Sequence, residues 1–170
     1  MHLHLLKKLY RTKTILIGKV PSRMRKASSL GSDAVLKFSE GQVETLIGNV
    51  KELTGGIGAS MVIIATSSPA SLDLATKIAA KNSKINIFAG MPEGYMISLD
   101  PNWLRYNQIS IGGSFSATPL MLEEAVKLAA DRQFIDLSEI VTHRYGLDDI
   151  GKALLVTERY TGLRAVINQF

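Results

Sequence analysis

The chain has 170 residues, 46% of them hydrophobic and 21% charged, so it is long enough to bury one core and has an ordinary globular composition. It contains no cysteine, which excludes disulfides, thiol nucleophiles and zinc sites built from thiolates. No apolar run approaches the roughly 20 residues of a membrane span, and the first residues lack the apolar core of a signal peptide. We therefore expect a cytoplasmic protein with no membrane partner.

The chain has a formal net charge of +5, and its positive charge is concentrated in the first residues. The basic residues that precede the first acidic residue are Lys7, Lys8, Arg11, Lys13, Lys19, Arg23, Arg25 and Lys26. Such a block is typical of a solvated face, a phosphate-binding patch or a nucleic-acid footprint. Since no aromatic interleaving or nucleic-acid motif accompanies it, we favour a solvated face with one or two phosphate contacts and expect no nucleic-acid partner.

The first third of the chain alternates helices with short strands. Leu3, Leu6 and Leu9 lie at helical spacing, which predicts an amphipathic helix over residues 1–11. The β-branched and apolar run 14–17 ends at Gly18 and is typical of a buried parallel strand. The same kinds of pattern predict helices over 22–30 and 40–53 and a short strand at 35–36.

Beyond residue 55 the alternation continues. Gly55 to Gly58 precedes a strand, whereas a phosphate-binding loop follows one, so these glycines predict a turn. Strands are predicted from Met61, over 84–89 and over 109–115, with helices over 71–80 and 119–131. From residue 134 the pattern breaks, with short strands at 140–144 and 164–167 around a helix at 148–157.

Strands separated by helices of this length predict an α/β fold with a parallel sheet covered on both faces. The chain opens on a helix, so we expect a Rossmann-like doubly wound sheet that lacks its first strand and glycine-rich turn. Ligands of such sheets bind outside the carboxyl ends of the strands. The segments at those ends are Gly18-Lys19, Ala65 to Ser68, Phe88 to Met91 and Ser114 to Thr118.

Gly18, Lys19 and Arg23 form the most informative group at a strand end. In a dinucleotide fold the end of the second strand normally presents an acid to the adenosine ribose, whereas basic neighbours accommodate a 2′-phosphate. No acid is present here, which favours NADP over NAD if a dinucleotide binds. The alternative is that Gly18 only ends a strand and that both cations are solvated.

The three histidines do not predict a metal site. His2 and His4 lie two residues apart on a predicted helix and so point to different faces. His143 stands beside Arg144 without a carboxylate or second histidine nearby in sequence, and we expect it to be a hydrogen-bonded structural residue.

Taken in order, these segments resemble the C-terminal part of a zinc-dependent medium-chain alcohol dehydrogenase, in the sorbitol, threonine and polyol dehydrogenase branch. The resemblance covers essentially the whole chain. The strings that carry it are LGSD ending at Asp33, ELTGGIGASMVIIATSSP, IFAGMPEG, DPNWLRYNQISIGGSF, IDLSEIVTHRYGLDDIGKAL and GLRAVI.

The resemblance implies cofactor contacts where the pattern matches. Gly18 lies where NAD-specific members have an aspartate, and Arg23 matches an arginine that faces the adenosine ribose, with Lys19 beside it. Ala65 and Thr66 correspond to a loop against the cofactor. The remaining matches are Phe88, Ala89 and Gly90 near the nicotinamide ribose, and Ser114 and Phe115 in the loop that closes over the nicotinamide.

The resemblance also implies what the chain does not carry. In this family the catalytic zinc, its ligands and the proton relay belong to an N-terminal domain, so we expect no catalytic or metal-binding residues here. We therefore expect a cofactor-binding fragment of an NAD(P)-dependent alcohol or polyol dehydrogenase that is inactive alone. The alternatives are a dimerising structural module and a degenerate NADP-binding protein without catalysis.

Three expectations concern architecture. Residues 1–133 correspond to an incomplete dinucleotide-binding domain, and residues 134–170 to a tail that packs on the catalytic domain in the family. The family also implies a homodimer through the strand near Ile109 to Phe115. Removal of a central strand exposes backbone groups on its neighbours, so we expect these either to close upon each other or to take a strand from another chain.

Overall fold

A computed structural model describes residues 1–131 and 135–169. The predicted domain boundary between residues 133 and 134 lies outside the described residues and stays a prediction. The described residues of Met1–Phe38 and Ala117–Phe170 form one compact unit, and Ser39–Ser116 form another.

Helices and strands follow each other in nearly the predicted order. The helices are α1 His2–Leu5, which continues as a π-helix over Leu6–Tyr10, α2 Pro21–Ser29, α3 Val43–Leu53, α4 Pro69–Ile78, α5 Pro101–Asn107, α6 Pro119–Ala130 and α7 Ile150–Glu158. The strands are β1 Ile15–Gly18, β2 Ala34–Lys37, β3 Ala59–Ile64, β4 Ala79–Ile87, β5 Ser110–Gly113, β6 Val141–Gly146 and β7 Arg164–Gln169. Short 3₁₀ turns precede α3, β6 and α7. None of the described helices is long and apolar enough to cross a membrane.

The first unit contains two parallel strand pairs. Strand β1 pairs with β2, with Gly18 opposite Lys37, and β6 pairs with β7. Helix α2 packs on β1 and β2, and α7 packs on β6 and β7. Pro21 suits the first turn of α2 because its fixed φ fits a helix and its missing N–H has no helical partner there.

The second unit contains the parallel sheet β3-β4-β5. Its core consists of Ile64 and Ile85 of the sheet against Leu72 and Ala75 of α4, all between 1% and 3% exposed. Helix α5 was not predicted. It begins where Asp100 accepts a hydrogen bond from the Asn102 N–H at 2.8 Å and Pro101 occupies the first turn.

Strands β1 and β3 are the two strands that we expect either to close upon each other or to take a strand from another chain. Among the described residues, β1 pairs only with β2 and β3 only with β4. Pairing with a strand from another chain stays a prediction. The open edges of β1 and β3 carry the backbone groups that such a strand would satisfy.

Candidate functional site

In the second unit, three predicted segments leave the sheet side by side. Residues 65–66 follow β3, residues 88–90 follow β4 and residues 114–115 follow β5. The last paired row of the sheet consists of Ile64, Ile87 and Gly113. The structure thus brings together seven predicted residues at the carboxyl edge of one parallel sheet, where ligands of such sheets bind.

Backbone hydrogen bonds fix this edge. The carbonyl of Ile64 accepts from the N–H groups of Phe88 and Ala89, both at 3.0 Å, which ties the segment after β4 to the end of β3. The Ser114 N–H donates to the Ile87 carbonyl at 3.1 Å, which ties the end of β5 to β4. The Ser114 hydroxyl also donates to Asn86 Oδ1 at 2.9 Å.

The edge is exposed and carries no titratable group among its predicted residues. Phe88 is 52% exposed and Phe115 is 100% exposed, and Thr66 and Ser114 add exposed hydroxyls. Such a surface offers ring faces, hydroxyls and main-chain groups, which suit the binding of a neutral planar ligand. It offers no side chain that could exchange a proton near neutral pH.

The other predicted residues lie in the first unit. Gly18 ends β1, and its carbonyl accepts from the Phe38 N–H at 2.8 Å. A Cβ at Gly18 would lie 3.6 Å from Leu16 Cδ2 and 3.7 Å from Met24 Cγ, which is ordinary contact. Space therefore does not explain the missing acid at this strand end. Lys19 is exposed, with Nζ 4.9 Å from the centroid of the Phe38 ring.

Arg23 lies in the first turn of α2 and is half-buried. Its Nη2 donates to the carbonyl of Gly162 at 3.3 Å, and its guanidinium carbon lies 4.9 Å from the centroid of the Tyr160 ring. Its Nε is buried and has no hydrogen-bond partner within the described part of the chain. The Nε–H of Arg23 is thus a hydrogen-bond donor without an acceptor among the described residues.

A cavity of about 200 Å³ lies beside Arg23 and is lined by Met1, Arg23, Ile140, Leu163 and Arg164. Two of these side chains are guanidinium groups and none is a carboxylate. Burial, followed by the positive charge of Arg164, lowers the pKa of the Met1 amino group. An anionic group such as a phosphate fits this donor set, because it would meet positive charge without a competing carboxylate.

A larger cavity of about 630 Å³ in the second unit contains none of the predicted residues. Its charged lining residues are Glu44, Lys51, Lys77 and Asp100. The two acidic and two basic side chains carry opposite charges in equal number, so this lining favours neither an anionic nor a cationic ligand.

The histidines differ in their surroundings: His4 Nε2 is buried without a hydrogen-bond partner among the described residues, and burial, followed by the positive charge of the amino terminus, lowers the pKa of His2. His143 Nδ1 lies 3.0 Å from Thr142 Oγ1, which confirms the prediction of a hydrogen-bonded residue, and its ring stacks on that of Tyr145. His4 is buried. Within residues 1–131 and 135–169, no cluster of three or more His, Asp or Glu side chains could hold a metal ion.

The sequence of this chain matches a known protein family over most of its length. A family model described as zinc-binding dehydrogenase matches residues 2–131. This chain belongs to the zinc-binding dehydrogenase family.

Individual relatives are distant and longer than this chain. The uncharacterised protein YggP of Escherichia coli (strain K12) is 25% identical over 130 residues, which make up 76% of this chain and 30% of that protein. A crystallised alcohol dehydrogenase from Thermotoga maritima is 20% identical with a TM-score of 0.86, over 99% of this chain and 46% of that one. A short chain alcohol dehydrogenase from Escherichia coli CFT073, complexed with NADH, is 20% identical with a TM-score of 0.78, over 96% and 46%.

These structural likenesses confirm the predicted α/β, Rossmann-like fold. The chain spans less than half the length of the two solved structures, and its match covers 30% of YggP. At such identities the likeness concerns the fold and does not assign a substrate.

The structure of this zinc-binding dehydrogenase segment also reveals residues that the sequence patterns missed. Asn86 bonds Ser114, Arg164 lines the positive cavity, and Tyr160 and Gly162 contact Arg23. Asn86 could have been noticed in the sequence, because it is a polar residue between Ile85 and Ile87 in a predicted strand. No local pattern could connect Tyr160 and Gly162 with Arg23, because sequence periodicity reports only on neighbours.

Proposed function

We propose that this chain is the dinucleotide-binding part of an NAD(P)-dependent alcohol or polyol dehydrogenase, and that it prefers NADP to NAD. The observation that carries the proposal is the alignment of residues 65–66, 88–90 and 114–115 at the carboxyl edge of one parallel sheet. Family membership supports it.

The preference for NADP rests on the first unit. Lys19 and Arg23 follow a strand that ends in Gly18, where an acid would favour the free ribose hydroxyls of NAD. Arg23 and Arg164 line a cavity that has no carboxylate. A 2′-phosphate of NADP would supply the anionic oxygens that this donor set fits.

In the proposed complex each predicted residue has a limited role. In the first unit, Lys19 and Arg23 would contact the adenosine end. In the second unit, Ala65 and Thr66 would lie against the cofactor, Phe88 to Gly90 near the nicotinamide ribose, and Ser114 and Phe115 in the loop that closes over the nicotinamide. When bound, the cofactor supplies the hydride donor or acceptor. The chain's residues bind and orient it, and none of the predicted residues moves a proton.

We further propose that the chain does not turn over an alcohol by itself. The described residues hold no group of side chains that could bind a catalytic zinc, and a zinc ion normally polarises the alcohol in zinc-dependent catalysis. Zinc would belong to a part of the enzyme outside this chain.

Thermal unfolding of the chain with each cofactor tests the binding proposal. We expect NADP to raise the melting temperature more than NAD at equal concentration, because a ligand that binds only the folded state stabilises it. Arg23→Met should remove most of the difference. Arg25→Met, on the exposed face of the same helix, is the matched control. The proposal is overturned if neither dinucleotide shifts the melting temperature.

A separate assay tests the inactivity. The chain, supplied with zinc, NADP and a panel of polyols, should show no change in absorbance of the reduced cofactor. Turnover above the rate of a heat-denatured sample would contradict this part of the proposal.

A second candidate function, assembly with a second copy, is favoured by the state of β5. Within the described residues β5 pairs on one side only, with β4, and three of its four residues are exposed. We propose that two copies associate through Ile109 to Phe115. Sedimentation should show a dimer that Ile111→Pro converts to a monomer, since proline removes a backbone donor. A monomer at high concentration would exclude this assembly.

A further inference from the structure

Arg23, near the start of the chain, contacts the turn between α7 and β7, near its end. Arg23 lies 139 positions before Gly162, whose carbonyl accepts its Nη2 at 3.3 Å. The Tyr160 ring lies under the same guanidinium, 4.9 Å from its carbon. One contact fixes an edge of the guanidinium plane, and the other supports its face.

Arginine alone would not hold one position. Its long side chain has many rotamers, and its value for recognising an anion depends on the orientation of a rigid planar fork. A hydrogen bond to the fork and an aromatic ring against its face both restrict that orientation. Arg23 is therefore restrained before any ligand arrives.

The turn itself is anchored by β6. Thr142 Oγ1 accepts from the Leu163 N–H at 3.0 Å and donates to the Arg164 carbonyl at 3.3 Å, so it fastens the residues just after Gly162. A Cβ at Gly162 would overlap Thr142 Oγ1 and would lie 2.6 Å from His143 Nδ1. Any larger residue at position 162 would therefore require the side chains of Thr142 and His143 to shift.

We propose that Tyr160 and Gly162 are positioning residues that orient Arg23 toward the 2′-phosphate of NADP. Through Arg23, the segment β6-α7-β7 thereby influences the choice between NADP and NAD, and Tyr160 and Gly162 need not touch the cofactor themselves. This inference rests on the proposed function, since it requires that Arg23 face the adenosine end.

Two mononucleotides isolate the effect of the phosphate. Titration calorimetry on the full chain would measure 2′,5′-ADP, which carries the 2′-phosphate, and 5′-AMP, which lacks it. We expect the unaltered chain to bind 2′,5′-ADP more tightly. Tyr160→Leu should weaken 2′,5′-ADP by about two- to fivefold, the effect of losing one exposed cation–π contact, and leave 5′-AMP unchanged.

Matched variants separate positioning from general structure. Tyr160→Phe keeps the ring and should retain the affinity for 2′,5′-ADP. Tyr10→Leu removes a tyrosine of similar exposure in the same unit, 68% against 55%, and should change neither affinity. Gly162→Ala should weaken 2′,5′-ADP as well. The Tyr160 variants provide the test if that chain does not fold, because Tyr160 is largely exposed.

The outcomes distinguish the two proposals. If the unaltered chain binds 2′,5′-ADP but Tyr160→Leu leaves this affinity intact, or weakens 5′-AMP equally, the positioning role is wrong and the proposed function stands. If the unaltered chain binds neither nucleotide, the proposed function is overturned and the positioning role falls with it.

Discussion

The hydroxyl of Ser114 donates a hydrogen bond of 2.9 Å to Oδ1 of Asn86, which joins the carboxyl ends of β5 and β4. Asn86→Leu removes the acceptor and keeps a similar side-chain size. We expect it to lower the free energy of unfolding by about 0.5–1 kcal/mol, the worth of one exposed hydrogen bond. Urea unfolding of Asn86→Leu, Ser114→Ala and the double variant measures the coupling.

The double variant should cost little more than either single one. Ser110→Ala, at the start of β5, provides the control because Ser110 is also an exposed serine. Additive losses in the double variant would show that the two side chains do not stabilise each other.

An acid introduced at Gly18 should reverse the cofactor preference. Gly18→Asp fits sterically, since the nearest atoms to its Cβ would be 3.6 and 3.7 Å away. Its carboxylate would repel a 2′-phosphate and accept hydrogen bonds from free ribose hydroxyls. We expect the added negative charge to lower the affinity for NADP at least about tenfold, which corresponds to about 1.4 kcal/mol, and to raise the affinity for NAD. Gly18→Asn, of equal size but neutral, separates the effect of charge from that of volume.

Residue patterns predicted each of the seven strands and most of the helices that the structure describes, because these elements depend on near neighbours. The apolar run ending at Gly18 became β1, and the stripe over 40–53 became α3 with a 3₁₀ turn before it. Helix α5 was missed because it has seven residues, too few for a convincing stripe. Its Asp100-Pro101 start was nevertheless a usable capping signal.

Only part of the candidate site could be predicted from the sequence. Residues at strand ends, such as Thr66 and Ser114, could be found because the carboxyl edge of a parallel sheet follows from the order of elements. The contact of Arg23 with Gly162 could not, because it joins segments 139 positions apart and depends on tertiary packing. The exposure of Phe115 is likewise a tertiary property.

Gly58 should tolerate substitution less well than Gly56. Both have positive φ, 95° and 85°, so alanine is strained at either position. A Cβ at Gly58 would also lie 2.7 Å from the Ile78 carbonyl oxygen, whereas one at Gly56 meets nothing within 4 Å. We expect Gly56→Ala to cost about 1 kcal/mol and Gly58→Ala at least about twice as much by urea unfolding. Equal costs would mean that the backbone near Ile78 moves aside freely.

The core beneath the candidate edge should be sensitive at Leu72. This residue of α4 is 2% exposed and packs in the cluster with Ile64 and Ile85. Leu72→Ala should lower the free energy of unfolding by about 2–5 kcal/mol, because it removes buried methyl groups and leaves a cavity. Leu120→Ala, on α6 where Leu120 is 74% exposed, should change it by less than about 0.5 kcal/mol. Similar effects would contradict the burial described for α4.

Asp33 should contribute stability that disappears in acid. Lys7 Nζ donates to its carboxylate at 2.8 Å and the Thr14 N–H at 2.6 Å. The hydrogen bond from Lys7, followed by that from the Thr14 backbone, holds the pKa of Asp33 well below its usual range. A lowered pKa in the folded chain means that the unfolded chain binds a proton first as the pH falls. The contribution is therefore complete above the ordinary aspartate pKa of about 3.9 and declines below it.

Urea unfolding between pH 7 and pH 3 checks this dependence. The stability difference between the unaltered chain and Asp33→Asn should be constant from pH 7 to about pH 5 and should shrink as the pH falls below about 4. Asp73→Asn is the control, because the side chain of Asp73 is exposed and forms no ion pair within the described residues. A difference that stays constant down to pH 3 would show that the bonds from Lys7 and Thr14 do not stabilise the ionised carboxylate.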